Sequence, residues 1–118
     1  PLFNRAFYEN VSDSLDADAI LITQAESPFY DSKIQRSMLE NQRPVFARLH
    51  MYTFVNLTYP GGYWGLGFAS QTLDPLKDLD EKAVDRSGLA FKYYNPQIHR
   101  AAFALPEFVK QNLAGLLD

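Results

Sequence analysis

Two strand-like segments separated by a Pro-Gly-Gly break constrain the fold of this chain more than any other feature. Residues 45–57, VFARLHMYTFVNL, follow the two-residue period of a β-strand, and residues 63–70, YWGLGFAS, form a second such segment. Residues 58–62 between them, TYPGG, have the composition of a turn. The pattern predicts an antiparallel strand pair at a sheet edge, with Gly65 and Gly67 on one face where another backbone comes close.

A short apolar run predicts a third strand of a different kind. Residues 19–23, AILIT, are rich in β-branched side chains, and the polar residues Gln24 and Glu26 and then Pro28 follow them. A run without polar alternation is typical of a strand that is buried on both faces, as in a parallel sheet. We therefore predict a buried parallel strand over residues 19–24.

The other segments have the spacing of amphipathic helices. Apolar residues recur every three or four positions in residues 2–15 and again in residues 32–42. We expect no N-cap for the first helix, because only Pro1 and Leu2 stand at its start. Helix, strand and helix in this order predict an α/β fold. Shorter helices are predicted over residues 80–88 and after Pro96 and Pro106.

The predicted sheet has one edge without a partner. A buried parallel strand needs a neighbour on each side, and the sequence supplies only the antiparallel pair for one of them. The other edge of strand 19–24 is then a bare apolar edge, which is prone to pair with another chain. The sequence therefore predicts strands for only half of a sheet.

Composition and charge exclude several classes of protein. The 118 residues fit one domain, and the formal net charge of −3 provides no basic surface for nucleic acid. The chain has no cysteine, so disulfides and thiolate chemistry are excluded. Neither His50 nor His99 has a second ligand at metal-binding spacing, so no metal site is predicted. We find neither a membrane-spanning apolar run nor a signal peptide, and we therefore expect a cytoplasmic protein without a membrane partner.

Four segments of the chain carry a resemblance to the spermidine synthases, in which they occur in the same order and spacing. These segments are LFNRAFYENV, ILITQAESPF, LTYPGGYWGLGFAS and LAFKYYNPQIHRAAFALPEFVKQNL. The resemblance implies that residues 1–118 are the C-terminal part of the catalytic domain. It further implies the C-terminal half of a Rossmann-like, methyltransferase-type sheet, with one buried parallel strand, an antiparallel strand pair and flanking helices.

The resemblance also implies an activity. Spermidine synthases transfer the aminopropyl group of decarboxylated S-adenosylmethionine to putrescine, which gives spermidine and methylthioadenosine. Decarboxylated S-adenosylmethionine is a co-substrate, and no metal or redox cofactor is needed. Members of the family are commonly dimers or tetramers, so the resemblance implies a homo-oligomer.

In the family, the parts that bind the nucleoside and carry the catalytic base lie before the helix that corresponds to residues 2–15. The resemblance therefore implies no catalytic or cofactor-binding residue in this chain. It implies a partner, which is either the missing N-terminal half or a second chain that carries it. The family proline that touches methylthioadenosine lies several residues earlier, so this role is not assigned to Pro1.

The residues that match the family's diamine pocket are Gln24, Glu26 and Tyr59. Gln24 and Glu26 match a Gln-x-Glu motif at the carboxyl end of the buried strand, where open α/β sheets bind ligands. Tyr59 matches the tyrosine of a Thr-Tyr-Pro loop that faces the putrescine amine. Carboxylate and amide oxygens suit the ammonium end of a diamine, and a phenol oxygen can accept from the attacking amine.

Each assignment has an alternative. Gln24 and Glu26 could simply be polar residues that end a strand, and Tyr59 could be an aromatic residue of a turn. The chain as a whole could be a catalytically inactive module that pairs with a partner through its exposed sheet edge, or a small diamine-binding protein.

Overall fold

The chain begins with helices and strands in alternation and ends in short helices. The computed structural model describes residues 2–118. Their elements are α1 (Arg5–Asp13), β1 (Ile20–Gln24), α2 (Ser32–Gln42), β2 (Arg48–Val55), β3 (Tyr63–Ser70), α3 (Glu81–Arg86), α4 (Pro96–Ala102) and α5 (Glu107–Asn112). The α/β fold predicted from the sequence is confirmed. No helix in the part of the chain that the structure describes has the length and apolar character to cross a membrane.

The three strands form one sheet in the order β1-β3-β2. The predicted antiparallel pair is confirmed, because β2 and β3 are antiparallel neighbours with Phe54 opposite Trp64. The central strand is β3, so β1 is an outer strand whose only ladder within residues 2–118 is the one with β3. The bare edge expected for strand 19–24 is present in the described residues.

One detail of the predicted sheet differs from the structure. The strand predicted as parallel and buried on both faces pairs antiparallel with β3, and both Ile20 and Ile22 are 46% exposed. β1 runs in the same direction as β2, but β3 lies between the two strands. An apolar run indicates which side chains avoid water, and it carries no information about the direction of the neighbouring strand.

The hydrophobic core lies on the face of the sheet that packs against the helices. Leu49 and Met51 of β2 point to this face and meet Leu39 of α2 and Tyr8 of α1. Val109, Leu113 and Leu116 from α5 and the turn after it complete the same cluster. The opposite face carries α4, after which Phe103 packs its ring against Tyr52 and Phe68.

Gly65 and Gly67 leave room on the core face of β3, as predicted. A Cβ on Gly65 would lie 2.9 Å from Nε2 of Gln35 and 3.3 Å from the carbonyl oxygen of Glu26. A Cβ on Gly67 would lie 2.7 Å from Oγ1 of Thr23. The sequence predicted a backbone at these glycines, whereas side chains come closer than the backbone does.

The start of α1 corrects one sequence-based expectation. Asn4 is an N-cap in extended conformation, and its Oδ1 accepts a hydrogen bond from the Phe7 N–H at 3.0 Å. The sequence-based prediction started the helix at Leu2 and therefore allowed no N-cap, whereas the helix begins at Arg5 and leaves Asn4 in the capping position. The cap predicted at the start of α3 is present, since Asp80 accepts from the Ala83 N–H.

Candidate functional site

The carboxyl end of β1 opens into a cavity of about 720 Å³ between α1, β1 and α2. Gln24 and Glu26, the two residues predicted at this end of the strand, both line it. The remaining lining is largely apolar on the sheet side and polar along α2: Phe3, Phe7, Tyr8, Leu21, Thr23, Ala25, Lys33, Ile34, Gln35, Ser37, Met38 and Asn41. The structure thus brings two of the three predicted site residues to one open cavity.

Glu26 has an unusual backbone conformation. Its φ is 58°, and within residues 2–118 it is the only residue other than glycine with a positive φ. The left-handed conformation is unfavourable by about 1–2 kcal/mol for an L-residue with a Cβ. Such strain persists only where the surroundings enforce it, and it is concentrated at ligand-binding and active sites. The strained backbone therefore makes Glu26 a candidate site residue.

Hydrogen bonds extend the pairing of β1 with β3 beyond the end of β1. The Ala25 N–H donates to the Gly65 carbonyl, and the Gly65 N–H donates to the Glu26 carbonyl, both at 2.9 Å. Nε2 of Gln35 donates to the Ala25 carbonyl at 2.6 Å. Three bonds therefore fix the main chain on both sides of the Glu26 Cα.

A serine turn connects Glu26 to α2. Oγ of the buried Ser27 accepts from the N–H groups of Phe29 and Tyr30, each at 3.3 Å, and the Ser27 carbonyl accepts from the Asp31 N–H. A serine hydroxyl that accepts hydrogen bonds from the N–H groups two and three residues later commonly closes a turn before a helix. The loop that carries Glu26 is thus closed by its own side chains.

The turn between β2 and β3 is built on Asn56 and two glycines. Asn56 donates its N–H to the Gly62 carbonyl at 2.7 Å, and its Oδ1 accepts from both the N–H and the hydroxyl of Thr58. Gly61 and Gly62 have φ values of 80° and 68°, which other residues adopt only at a cost. Adjacent glycines are therefore required by the backbone of this turn.

Tyr59 lies on this turn and outside the lining of the cavity. Its ring is 39% exposed and packs on the indole of the buried Trp64, with 4.4 Å between the ring centroids. Nε1 of Trp64 is buried and has no hydrogen-bond partner among residues 2–118. A buried indole N–H usually finds an acceptor, so a free donor lies next to Tyr59 at this end of the sheet.

The two loops that carry the predicted site residues are in contact. The ring of Tyr30, from the loop after β1, lies against Gly61 of the turn. Register places Gln24 opposite Leu66, two residues beyond Trp64 on the same face of the sheet. Gln24, Glu26 and Tyr59 therefore belong to one end of the sheet, although only the first two share the cavity.

Burial raises the pKa of the Tyr8 hydroxyl, which lines this cavity, whereas His50 and Asp74, whose pKa values are also shifted, lie outside it. Burial lowers the pKa of the His50 imidazole, and the nearby Asp74, 3.6 Å away, opposes that shift. Hydrogen bonds from the N–H groups of Lys77 and Leu76 hold the pKa of Asp74 below its usual range, against the opposing effect of burial. Across residues 2–118, no three side chains of the kind that ligate metals are grouped together.

Sequence patterns alone did not identify the residues that hold the site in place. Gln35 is buried on the apolar side of α2, Ser27 closes the loop after Glu26, and Asn56 organises the turn. The one available signal was Gly65 in the middle of a strand, which indicates that another group approaches closely. The group that approaches Gly65 is the side chain of Gln35, which lies on the core-facing side of α2.

Comparisons with known proteins give a consistent result. Residues 1–81 match the family model described as the spermine/spermidine synthase domain. A polyamine aminopropyltransferase of Clostridium beijerinckii is 40% identical over 99% of this chain and 42% of its own length. The crystal structure of a spermidine synthase from Thermotoga maritima matches with a TM-score of 0.90 and 38% identity, over 95% of this chain and 38% of that chain.

A second solved structure, a spermidine synthase in complex with the transition state analogue AdoDATO, also matches with a TM-score of 0.90. The chain spans 38% to 42% of the length of the relatives it matches. The family model nevertheless covers more than half of the chain itself, since it matches residues 1–81 of 118. The chain therefore belongs to the spermine/spermidine synthase family.

Proposed function

We propose that this chain is the C-terminal part of an aminopropyltransferase and supplies one wall of its diamine pocket. The reaction transfers the aminopropyl group of decarboxylated S-adenosylmethionine to putrescine and gives spermidine and methylthioadenosine. Family membership and the names of the relatives support the reaction class. The observation that supports the site is Glu26, which is held in a strained conformation beside Gln24 in an open cavity.

The chemistry of the reaction requires groups of this kind. A neutral amine nitrogen attacks the carbon next to the sulfonium, the C–S bond breaks, and its electron pair stays on sulfur as the thioether of methylthioadenosine. The attacking nitrogen then loses a proton to a base. Because the sulfonium sulfur departs as a neutral thioether, this step requires neither a metal nor a redox cofactor.

Each of the three residues then has a role. The amide oxygen of Gln24 and the carboxylate of Glu26 accept hydrogen bonds from the ammonium end of putrescine and hold it in place. The Tyr59 hydroxyl accepts from the attacking amine and aligns its lone pair. The base and the nucleoside site come from the region of the relatives that precedes the matched part, supplied by the same polypeptide or by a second chain.

A chimera tests this proposal. The chain replaces the matched C-terminal part of the Thermotoga maritima spermidine synthase, whose fold it shares at a TM-score of 0.90. We expect the chimera to release methylthioadenosine from decarboxylated S-adenosylmethionine only when putrescine is present. A folded chimera that releases no methylthioadenosine would contradict the proposal. Turnover by the 118-residue chain alone would contradict the claim that the catalytic base lies outside this chain.

The outer position of β1 favours a second candidate function. Ile20 and Ile22 are exposed on a strand whose outer edge has no partner in residues 2–118, and such an edge can take up a strand of another chain. A catalytically inactive pairing module would form a stoichiometric complex with the N-terminal part of a relative but release no methylthioadenosine. Native mass spectrometry together with the activity assay distinguishes the two candidates.

A further inference from the structure

We propose that Gln35 is a positioning residue for the diamine site, because its side-chain amide fixes the backbone of Glu26 in the left-handed conformation. The inference rests on the proposed function, in which the Glu26 carboxylate binds the ammonium end of the substrate. Gln35 itself does not need to contact the diamine.

The argument begins with the two peptide groups that flank the Glu26 Cα. The carbonyl of the preceding peptide belongs to Ala25 and accepts from Nε2 of Gln35 at 2.6 Å. The carbonyl of the following peptide belongs to Glu26 and accepts from the Gly65 N–H at 2.9 Å. The orientations of these two peptides define φ and ψ of Glu26, so both torsions are set by groups outside the loop.

Gln35 is well placed to impose such a constraint. Its side chain is only 1% exposed, and Gly65 supplies the space it occupies, since a Cβ there would lie 2.9 Å from Nε2. Ala25 is fully buried, so water cannot replace the glutamine as the donor to its carbonyl. If this bond is lost, the peptide between Ala25 and Glu26 can rotate, and the intrinsic preference of an L-residue returns Glu26 to a negative φ.

If Gln35 only filled the core, its substitution would have the same effect as substitution of another buried glutamine of α2. Gln42 provides this matched control. Gln42 lies on the same helix, is 0% exposed, and faces β3 at Gly67 as Gln35 does at Gly65. Its Nε2, however, donates to the hydroxyl of Thr23 at 3.2 Å and not to a main-chain carbonyl next to a site residue. Substitution of either glutamine disturbs the core, and only substitution of Gln35 releases Glu26.

The test compares Gln35→Met with Gln42→Met in the chimera, which contains every region of the relatives' chain. Methionine keeps the length and approximate volume of glutamine but cannot donate a hydrogen bond. For Gln35→Met we expect the KM for putrescine to rise about tenfold while kcat stays within about threefold, because ground-state binding of the ammonium end is lost. For Gln42→Met we expect both constants to stay within about twofold.

Equal changes of KM in the two variants would overturn the inference. If Gln35→Met fails to fold, Gln35→Asn serves in its place, since it keeps an amide that is one methylene too short to reach the Ala25 carbonyl. Crystal structures of the variants provide a readout that does not depend on activity. Loss of the positive φ of Glu26 in the Gln35 variant alone supports the inference, and its retention contradicts it.

The two proposals fail in distinguishable ways. If the unsubstituted chimera folds and releases no methylthioadenosine, the proposed function fails. The crystallographic comparison then still decides whether Gln35 holds the backbone of Glu26.

Discussion

The ring of Tyr30 occupies the space that a side chain at Gly61 would need. A Cβ on Gly61 would lie 2.8 Å from Cε2 of Tyr30, closer than van der Waals contact permits. Tyr30 follows the loop that carries Glu26, and Gly61 is in the turn that carries Tyr59. The two loops of the candidate site therefore pack on each other at this contact, and a substitution in either loop should affect the packing of the other.

Gly61→Ala should destabilise the fold by about 2–4 kcal/mol. About 1–2 kcal/mol arises from a non-glycine residue at a φ of 80°, and the remainder from the clash with Tyr30. Gly88→Ala is the matched control, because Gly88 has a φ of 65° and nothing lies within 4 Å of its added Cβ. The control should lose only the first contribution, and urea denaturation of both variants measures the difference.

The double variant Tyr30→Ala, Gly61→Ala separates the two contributions at Gly61. Removal of the ring opens space for the new methyl group, so the effect of Gly61→Ala should be smaller in the Tyr30→Ala background than in the unsubstituted protein. Equal effects in both backgrounds would mean that the loops are not coupled through this contact.

Glu26→Gly should stabilise the fold and weaken the binding of putrescine. Glycine adopts the left-handed conformation without a Cβ penalty, and after its greater unfolded-state entropy is counted the gain is about 0.5–1 kcal/mol. The same change removes the carboxylate proposed to hold the ammonium end, so the KM for putrescine should rise at least tenfold, in the order of magnitude of a lost charged hydrogen bond.

Glu26→Gln is the control for this trade-off. Glutamine removes the charge of Glu26 but keeps its Cβ and strain, so it should weaken binding without the gain in stability. The thermal midpoint and KM of the two variants are measured in parallel. A Glu26→Gly variant that is both more stable and fully active would contradict the proposed role of the Glu26 carboxylate.

The strands could be predicted from the sequence because their signals are local. The period of two in residues 45–57 and 63–70 and the Pro-Gly-Gly break give the β2–β3 hairpin. The position of β1 in the sheet and the direction of its neighbour depend on long-range pairing, and Ile22 has the same identity whichever way its partner runs. The order of the strands in the sheet therefore could not be predicted from the sequence and is known only from the structure.

The site could be predicted only at the level of candidate residues. The polar pair Gln24 and Glu26 after an apolar strand is visible in the sequence, but the positive φ of Glu26 is not, because glutamate has no special tendency toward that conformation. The strain arises from the donors of Gln35 and Gly65, which lie 9 and 39 residues away along the chain. Constraints of this kind become visible only when the helix and the sheet have been assembled.

His50 should make the stability of the fold depend on pH. Burial lowers the pKa of His50, Asp74 and Asp118 act in the opposite direction, and Arg48 and Arg43 add to the lowering. The unfolded imidazole has a pKa of about 6.5, so between the lower folded value and about pH 6.5 the unfolded state binds more protons. The contribution of neutral His50 to stability is therefore fully present above about pH 6.5 and is lost as the pH falls.

Denaturant unfolding of the unsubstituted protein and of His50→Gln between pH 5 and pH 8 checks this sign. Asp74 remains ionised throughout, because its pKa is held below the ordinary value of 3.8. We expect the stability advantage of the unsubstituted protein over His50→Gln to shrink as the pH falls from about 7 to about 5. An advantage that does not change with pH would show that His50 does not titrate differently in the two states.

Tyr59→Phe isolates the hydroxyl of Tyr59 from its ring. The ring packs on Trp64 with 4.4 Å between centroids, and phenylalanine retains that contact, so the stability should change by no more than about 0.5 kcal/mol. If the hydroxyl accepts from the attacking amine, kcat/KM for putrescine should fall by about ten- to a hundredfold. Tyr59→Ala should lose this activity and, in addition, about 1 kcal/mol from the aromatic pair. A Tyr59→Phe variant with unchanged kcat/KM would leave Tyr59 with a structural role only, as an aromatic residue that packs its turn onto Trp64.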